Sequence, residues 1–310
     1  MLKSVIFIVL SVVAASAQDT EVLTNEKIIK MVQRGVPAAT IVKSIEGAGL
    51  AVDFLVTGPA LQRLTQAKIP QGVLKAMAAS LEQVRAKAEQ GEAAAQFNVG
   101  LMYRDGKDVP QDLPEAVRWF RKAAEQGLDS AQVNLGVMYY FGQGVAQDYA
   151  EAARWYRKAA EQELSGAQFN LGKMYAKGQG VPQDFEEAVQ WIRSAANWGL
   201  PDARFSLGQM YADGQGVPKD SAEAVRWFRM AADQGLPEAQ INLGVMYYTG
   251  EGVVKDDVQA YMWFDVASSR VAGDLQAKYR DGRDKIAAKL TPQQLAKAKS
   301  LARAWKPSGF

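Results

Sequence analysis

The chain has 310 residues, of which 48% are hydrophobic and 23% charged; this is too apolar for disorder and long enough for one large domain or two ordinary ones. Thirty-six basic against thirty-four acidic residues leave a formal charge of +2, so no strong overall field points to nucleic acid or anionic lipid. With no Cys and no His, the chain lacks disulfides, a lipobox thiol, the commonest zinc ligand and the commonest general base.

Residues 2–17 read LKSVIFIVLSVVAASA: one Lys, an apolar run short for a bilayer span, and small residues at Ala15-Ser16-Ala17. This pattern predicts a signal peptide over 1–17, cut before Gln18, and export to the periplasm or, alternatively, the extracellular space. An uncleaved membrane anchor is the other reading; after cleavage no stable membrane span is expected. Next comes a helical module at 18–82 with an internal duplication. Its halves align at a step of 33 residues, pairing Thr24 with Thr57, Met31 with Leu64, Val36 with Ile69, Pro37 with Pro70 and Ile41 with Leu74. VRAKAEQG at 84–91 matches FRKAAEQG at 120–127, so 83–94 is expected to be a degenerate half-repeat that caps a solenoid.

From Ala95 the chain repeats. AQFNVGLMY, AQVNLGVMY, AQFNLGKMY, ARFSLGQMY and AQINLGVMY begin at Ala95, Ala131, Ala167, Ala203 and Ala239, a constant step of 36. Each unit shows helical periodicity twice. Ala131, Leu135, Met138 and Tyr139 share a face of a first helix, and Ala152, Trp155, Tyr156, Ala159 and Ala160 a face of a second. Gly-x-Gly-Val between them, as at Gly142 and Gly144, offers positive φ where the first helix stops. A phosphate loop is disfavoured because no strand precedes these glycines and no Lys-Ser or Lys-Thr pair follows them at P-loop spacing. Asp112, Asp148, Asp184, Asp220 and Asp256 each stand three residues before Glu or Gln, which predicts capping boxes opening the second helices. Recurrence at one place in every unit argues against reading these carboxylate pairs as acid and base. Trp119, Trp155, Trp191, Trp227 and Trp263 keep the same step and are expected to pack between units. A lone hairpin cannot bury its apolar face; stacked hairpins bury a continuous core. The predicted fold class is all-α, a solenoid of five repeats over 95–270 with capping helices at 271–310.

The unit AQVNLGVMYYFGQGVAQDYAEAARWYRKAAEQ closely resembles the Sel1-like repeat, a relative of the tetratricopeptide repeat. Departures are Asp108 in place of the second Gly of the first unit, Glu163 in place of the closing Gly of the second, and DVAS for RKAA in the fifth. Glu163 is expected to tighten or shift its turn. The resemblance implies an adaptor that holds protein or peptide partners, often at membranes or in the bacterial envelope, with no shared catalytic residues and no cofactor.

The last predicted helix has Thr291 as N-cap, Pro292 after it and Gln294 as box partner, with Leu295, Ala298, Ala302 and Trp305 on one face. Capping is its expected task. Lys297, Lys299, Arg303 and Lys306 on or near the polar side make membrane binding the alternative.

A ligand is expected on the first-helix face. The position of Phe97, Val133, Phe169, Phe205 and Ile241 is always apolar and reads as core, whereas the positions of Leu101 and Arg104 vary between units. Variation within a rigid template is consistent with a surface tuned to a partner or with neutral drift. Arg104, Tyr140, Lys173 and Tyr248 are the candidate anchors, Tyr and Arg being favoured at interfaces. Asn98, Asn134, Asn170 and Asn242, with Ser206 in the fourth unit, form a ladder that can grip a peptide backbone, by analogy with tetratricopeptide grooves, or bond neighbouring carbonyls. The expected function is a non-catalytic scaffold in the bacterial envelope. Recognition of a cell-wall polymer by the N-terminal module is the alternative and an envelope hydrolase the remote one; the oligomeric state is not encoded.

Overall fold

The computed structural model describes residues 23–47, 52–53, 67–106 and 109–308. The expected signal peptide, part of the second half of the duplication and Asp108 lie outside the described residues. β1 (Leu23–Thr24) pairs in parallel with β2 (Val52–Asp53), a bridge of two residues per strand. Among the described residues all other regular structure is helical: α1 (Asn25–Gln33), α2 (Ala38–Gly47) and α3 (Gln71–Glu89), then the hairpins α4 (Ala93–Asp105) with α5 (Leu113–Glu125) and α6 (Asp129–Phe141) with α7 (Tyr149–Ala160). After these come α8 (Ser165–Lys177) with α9 (Phe185–Asn197), α10 (Pro201–Asp213) with α11 (Ser221–Asp233), α12 (Pro237–Thr249) with α13 (Asp257–Ser268), and finally α14 (Gly273–Ala287) and α15 (Pro292–Ala304).

Every second helix opens on its aspartate. Asp112, Asp148, Asp184, Asp220 and Asp256 hold extended backbone, and each side chain accepts the N–H of the residue three ahead at 2.9–3.0 Å. The reciprocal half of the expected box is absent. Each of these aspartates already donates its own N–H to a first-helix carbonyl, for example Asp112 to Tyr103 O at 2.9 Å and Asp148 to Tyr139 O at 3.0 Å, leaving the glutamate nothing to accept. Glu115, Glu151 and Glu223 turn instead to Arg118, Arg154 and Arg226. Among the described residues the complete box forms only at Thr291 and Gln294. The second glycine of the turn is required by close approach. A Cβ on Gly144 would lie 2.3 Å from the Leu113 carbonyl carbon, and one on Gly216 2.1 Å from the Phe185 oxygen.

Two hydrogen bonds recur between repeats. The Gln beside the first alanine donates to the end of the preceding helix, Gln96 to Ala88 O and Gln132 to Ala124 O at 3.2 Å and Gln240 to Ala232 O at 3.0 Å, with Arg204 replacing it at 3.1 Å to Ala196 O. An arginine of three second helices clasps the tyrosine hydroxyl of the next first helix: Arg121 with Tyr139, Arg193 with Tyr211 and Arg229 with Tyr247.

The chain divides into two compact units, one ending at Gln162 and one beginning at Glu163. In the first, Ile28, Ile41 and Ile45 share one core with Val73, Met77, Leu81 and Val84 of α3 and with Ala95, Val99 and Met102 of α4. The boundary expected at 82/83 therefore falls inside a continuous helix, and the N-terminal module runs into the first repeat. Two backbone features recur at the step of 33 residues: Gly35 and Lys68 both have positive φ (73° and 54°), and α2 and α3 start after Pro37 and Pro70.

In the second unit, Ile286 of α14 and Ala298 of α15 join the core built by α11, α12 and α13, with Leu290, Leu295, Leu301 and Trp305 packed against it. α14 behaves as a sixth first helix. Gln276 donates to Ser268 O at 3.0 Å as its counterparts do, and Arg283 meets Asp265 at 2.9 Å, the Arg–Tyr clasp rebuilt with its donor on the other side. The turn at Glu163 is shifted as expected: α7 ends at Ala160, one residue earlier than its counterparts α5 and α9, while Glu163 keeps the left-handed region of the equivalent Gly127 and Gly199, at φ 63° against 92° and 91°.

Candidate partner-binding face

The first helices place the candidate residues in two different conditions. In the first unit, Arg104 of α4 grips Asp105 through Nε at 2.7 Å and Nη2 at 3.1 Å, and its Nη1 donates to Asn134 Oδ1 at 2.6 Å. The Asn134 amide donates in turn to Ser130 O at 2.8 Å, and the side chain is buried. Both ends of this rung are thus engaged within the chain, which is the structural alternative weighed for the ladder. Asn98 is half-buried and also partnered. Tyr140 packs edge-on against Phe141 and Tyr149, with ring centroids 4.9 and 5.1 Å apart.

The second unit is different. Asn170, Ser206 and Asn242 are half-buried, and among the described residues none of their side chains makes a hydrogen bond. Beside them Lys173 lies over the Phe169 ring at 5.2 Å. Burial pushes its ammonium below the usual lysine range; Lys177 adds to this and Asp202 opposes it. Asp202 on α10 is pushed up, first by burial and then by Glu238 on α12, with Lys173 pulling it back. Four groups on three successive first helices therefore sense one another along this face. Tyr248 is occupied: the Lys289 ammonium sits 4.6 Å from the ring centroid and bonds the hydroxyl, and Lys255 lies 5.5 Å away. The hydroxyl raises the Lys289 pKa. Trp198, which the sequence pattern did not single out, is 63% exposed where Gln126, Gln162 and Gln234 bond back to the preceding turn.

Among the described residues, no group of three Asp or Glu side chains gathers in a way that can hold a metal ion. No described helix is long and apolar enough to cross a membrane.

A family model described as the Sel1 repeat matches residues 93–128, 129–164, 165–199, 201–236 and 237–270, together more than half of the chain. The chain belongs to the Sel1 repeat family. It is similar to a Sel1 repeat protein from Oxalobacter formigenes of known structure, at 32% identity and a TM-score of 0.61 over 79% of this chain and 98% of that one. A second structure, c5321 of uropathogenic Escherichia coli, described as a protective antigen with an SLR fold, shares 29% identity over 91% of this chain and 75% of that one, with a TM-score of 0.38. A curated relative, the secretory immunoglobulin A-binding protein EsiB of Escherichia coli, is 46% identical over 43 residues, which are 14% of this chain and 9% of EsiB. The Sel1 repeat fold is typical of protein–protein interaction scaffolds, and the family is generally non-catalytic.

Proposed function

We propose that this chain is an exported, non-catalytic scaffold of the bacterial envelope and that it holds a protein or peptide on the first-helix face of its second unit. The observation that carries the reading is the set of half-buried amide and hydroxyl groups at Asn170, Ser206 and Asn242, left without internal partners beside Lys173. A polar group held half out of water and unbonded is one that an extended backbone can satisfy, each such bond adding about 1 kcal/mol. The equivalent Asn134 is closed by Arg104, so of the four anchors expected from sequence Lys173 stands as the primary one. Arg104 and Tyr248 already have partners within the chain. The name of EsiB, which records binding to an immunoglobulin, agrees with protein recognition by such repeats. The core shared by α1–α4 supports reading the N-terminal module as a cap on the stack, and it weighs against a separate polymer-binding domain.

Crosslinked capture from an envelope extract tests this. The full chain should retain a partner that the combined Asn170→Ala, Lys173→Ala and Asn242→Ala variant loses, while Arg104→Ala keeps it. A partner held equally by all three proteins would remove the assignment.

A further inference from the structure

The near-balance of charge over the whole chain conceals a segregation within the second unit. Residues 163–272 carry fourteen carboxylates against nine cations, whereas 285–308 carry six cations, Lys285, Lys289, Lys297, Lys299, Arg303 and Lys306, and no carboxylate. Lys285 pairs with Asp281, and Lys289 bonds Tyr248. The other four are exposed, and among the described residues none has a hydrogen bond or ion pair. They lie on or just beyond α15 within ten residues of sequence, Lys297 to Arg303 spanning about 9 Å of helix.

α15 cannot offer its apolar side to a partner. Ala298 is fully buried, and Leu295, Leu301, Ala302 and Trp305 pack on the core of the unit, with Trp305 edge-on to Trp263 at 6.1 Å and under Arg270 at 4.6 Å. The helix is pinned with its cations outward. The acids of a second copy are poor partners for it, because many are engaged: Asp184, Asp220 and Asp256 cap helices, Glu223 faces Arg226, Glu251 faces Lys219 and Asp265 faces Arg283. Nor do the four cations converge on a shaped pocket; they are separate point charges on flexible stems, suited to a diffuse layer of anions.

We propose that the outer side of α15 is an electrostatic docking surface for a bilayer bearing anionic phospholipid headgroups. The contact is at headgroup level, without insertion, because the apolar residues of the helix are already inside the protein. It is independent of the peptide-binding reading and orients the unit by a different face.

Vesicle co-flotation of the full chain tests the proposal, using phosphatidylcholine vesicles with or without about 30% phosphatidylglycerol, at about 50 and about 300 mM salt. Association should require phosphatidylglycerol and fall at least about tenfold at the higher salt. The combined Lys297→Glu, Lys299→Glu and Arg303→Glu variant, checked by circular dichroism for retained helix, should lose at least about tenfold, while Arg118→Glu with Arg154→Glu stays within about twofold. Equal flotation on pure phosphatidylcholine, no flotation at low salt, or equal loss in the control would overturn it. So would a protein-only oligomer, measured by analytical ultracentrifugation, that the same charge reversals dissolve, because the anions would then belong to a second copy.

Discussion

The same first-helix asparagine has opposite fates in the two units. Asn134 is buried between Arg104 and the Ser130 carbonyl, whereas Asn170 and Asn242 stand half-open with neither bond. The template is shared, so the difference comes from one neighbour. Arg104 stands thirty residues before Asn134, whereas the residues thirty places before Asn170 and Asn242 are Tyr140 and Ala212, and neither brings a guanidinium. A repeat array changes the use of a rung by altering a side chain on the adjacent helix, without changing the rung itself.

If that is the whole difference, the scaffold beneath should be equally rigid in both units, and the largest effects should be the same in each. Gly144→Ala and Gly216→Ala both force a Cβ into a backbone carbonyl group at about φ 70°. Each is expected to cost about 3 kcal/mol or more in urea unfolding. A much smaller loss in one unit would mean that the scaffolds themselves differ.

The comparison is broken most directly at the rung. Asn134→Ala leaves the Ser130 carbonyl and Arg104 without a shared partner and is expected to cost about 1–2 kcal/mol, whereas Asn170→Ala and Asn242→Ala should stay within about 0.5 kcal/mol. Arg104→Ala should recover part of the Asn134→Ala loss in a double-mutant cycle. Similar costs at all three asparagines would show that the second-unit rungs are bonded as well.

Much of the fold was legible in the sequence. The step of 36, the glycine turn and the capping aspartates each act within one or two turns of chain, and such local rules can be read in order. The glutamates were misread as box partners because the competing bond, from the aspartate N–H to a tyrosine carbonyl nine residues earlier, is tertiary. The Gln ladder and the Arg–Tyr clasps were missed for a related reason. Gln96, Gln132, Gln168 and Gln240 were visible as constants, but a constant shows that a residue is needed, not what it bonds. α14 was read only as a cap because its clasp reverses the charges, Asp265 with Arg283, and so escapes a search for similarity. Of the candidate site the ladder was legible as positions, but its division into closed and open rungs depends on bonds 30 residues apart. The cationic side of α15 was visible as residues, yet whether its apolar side is free cannot be known without the core that covers it.

A smaller effect concerns the turn that leads into α8. Glu163 holds the left-handed region, at φ 63°, where Gly127, Gly199 and Gly235 hold φ 91–97°, without their freedom from a Cβ. Glu163→Gly should therefore stabilise the protein by about 0.5–1 kcal/mol, read as a shift of the urea midpoint at constant slope. Capture of the partner should not change, since the substitution leaves Asn170, Lys173 and Asn242 in place; altered capture would show that the open face depends on the strain at this residue.

The smallest expected effect tests whether the open face is electrostatically unsatisfied. Asp202 is pushed above the ordinary aspartate range mainly by burial and then by Glu238, so between its unfolded and folded pKa values the folded state holds more protons. Stability then falls as pH rises through that window, and the cost of ionising Asp202 is fully present above its folded pKa. Asp202→Asn removes this cost. It should raise the urea midpoint slightly at pH 7, and the gain should shrink as pH falls through the folded pKa and vanish near the unfolded value of about 4. Lys173 opposes the shift, so in a Lys173→Ala background the gain at pH 7 should be larger. A loss of stability on Asp202→Asn at pH 7 would mean that Asp202 is a satisfied ion-pair member, and the face of the second unit would then be closed in the way that Arg104 closes the first.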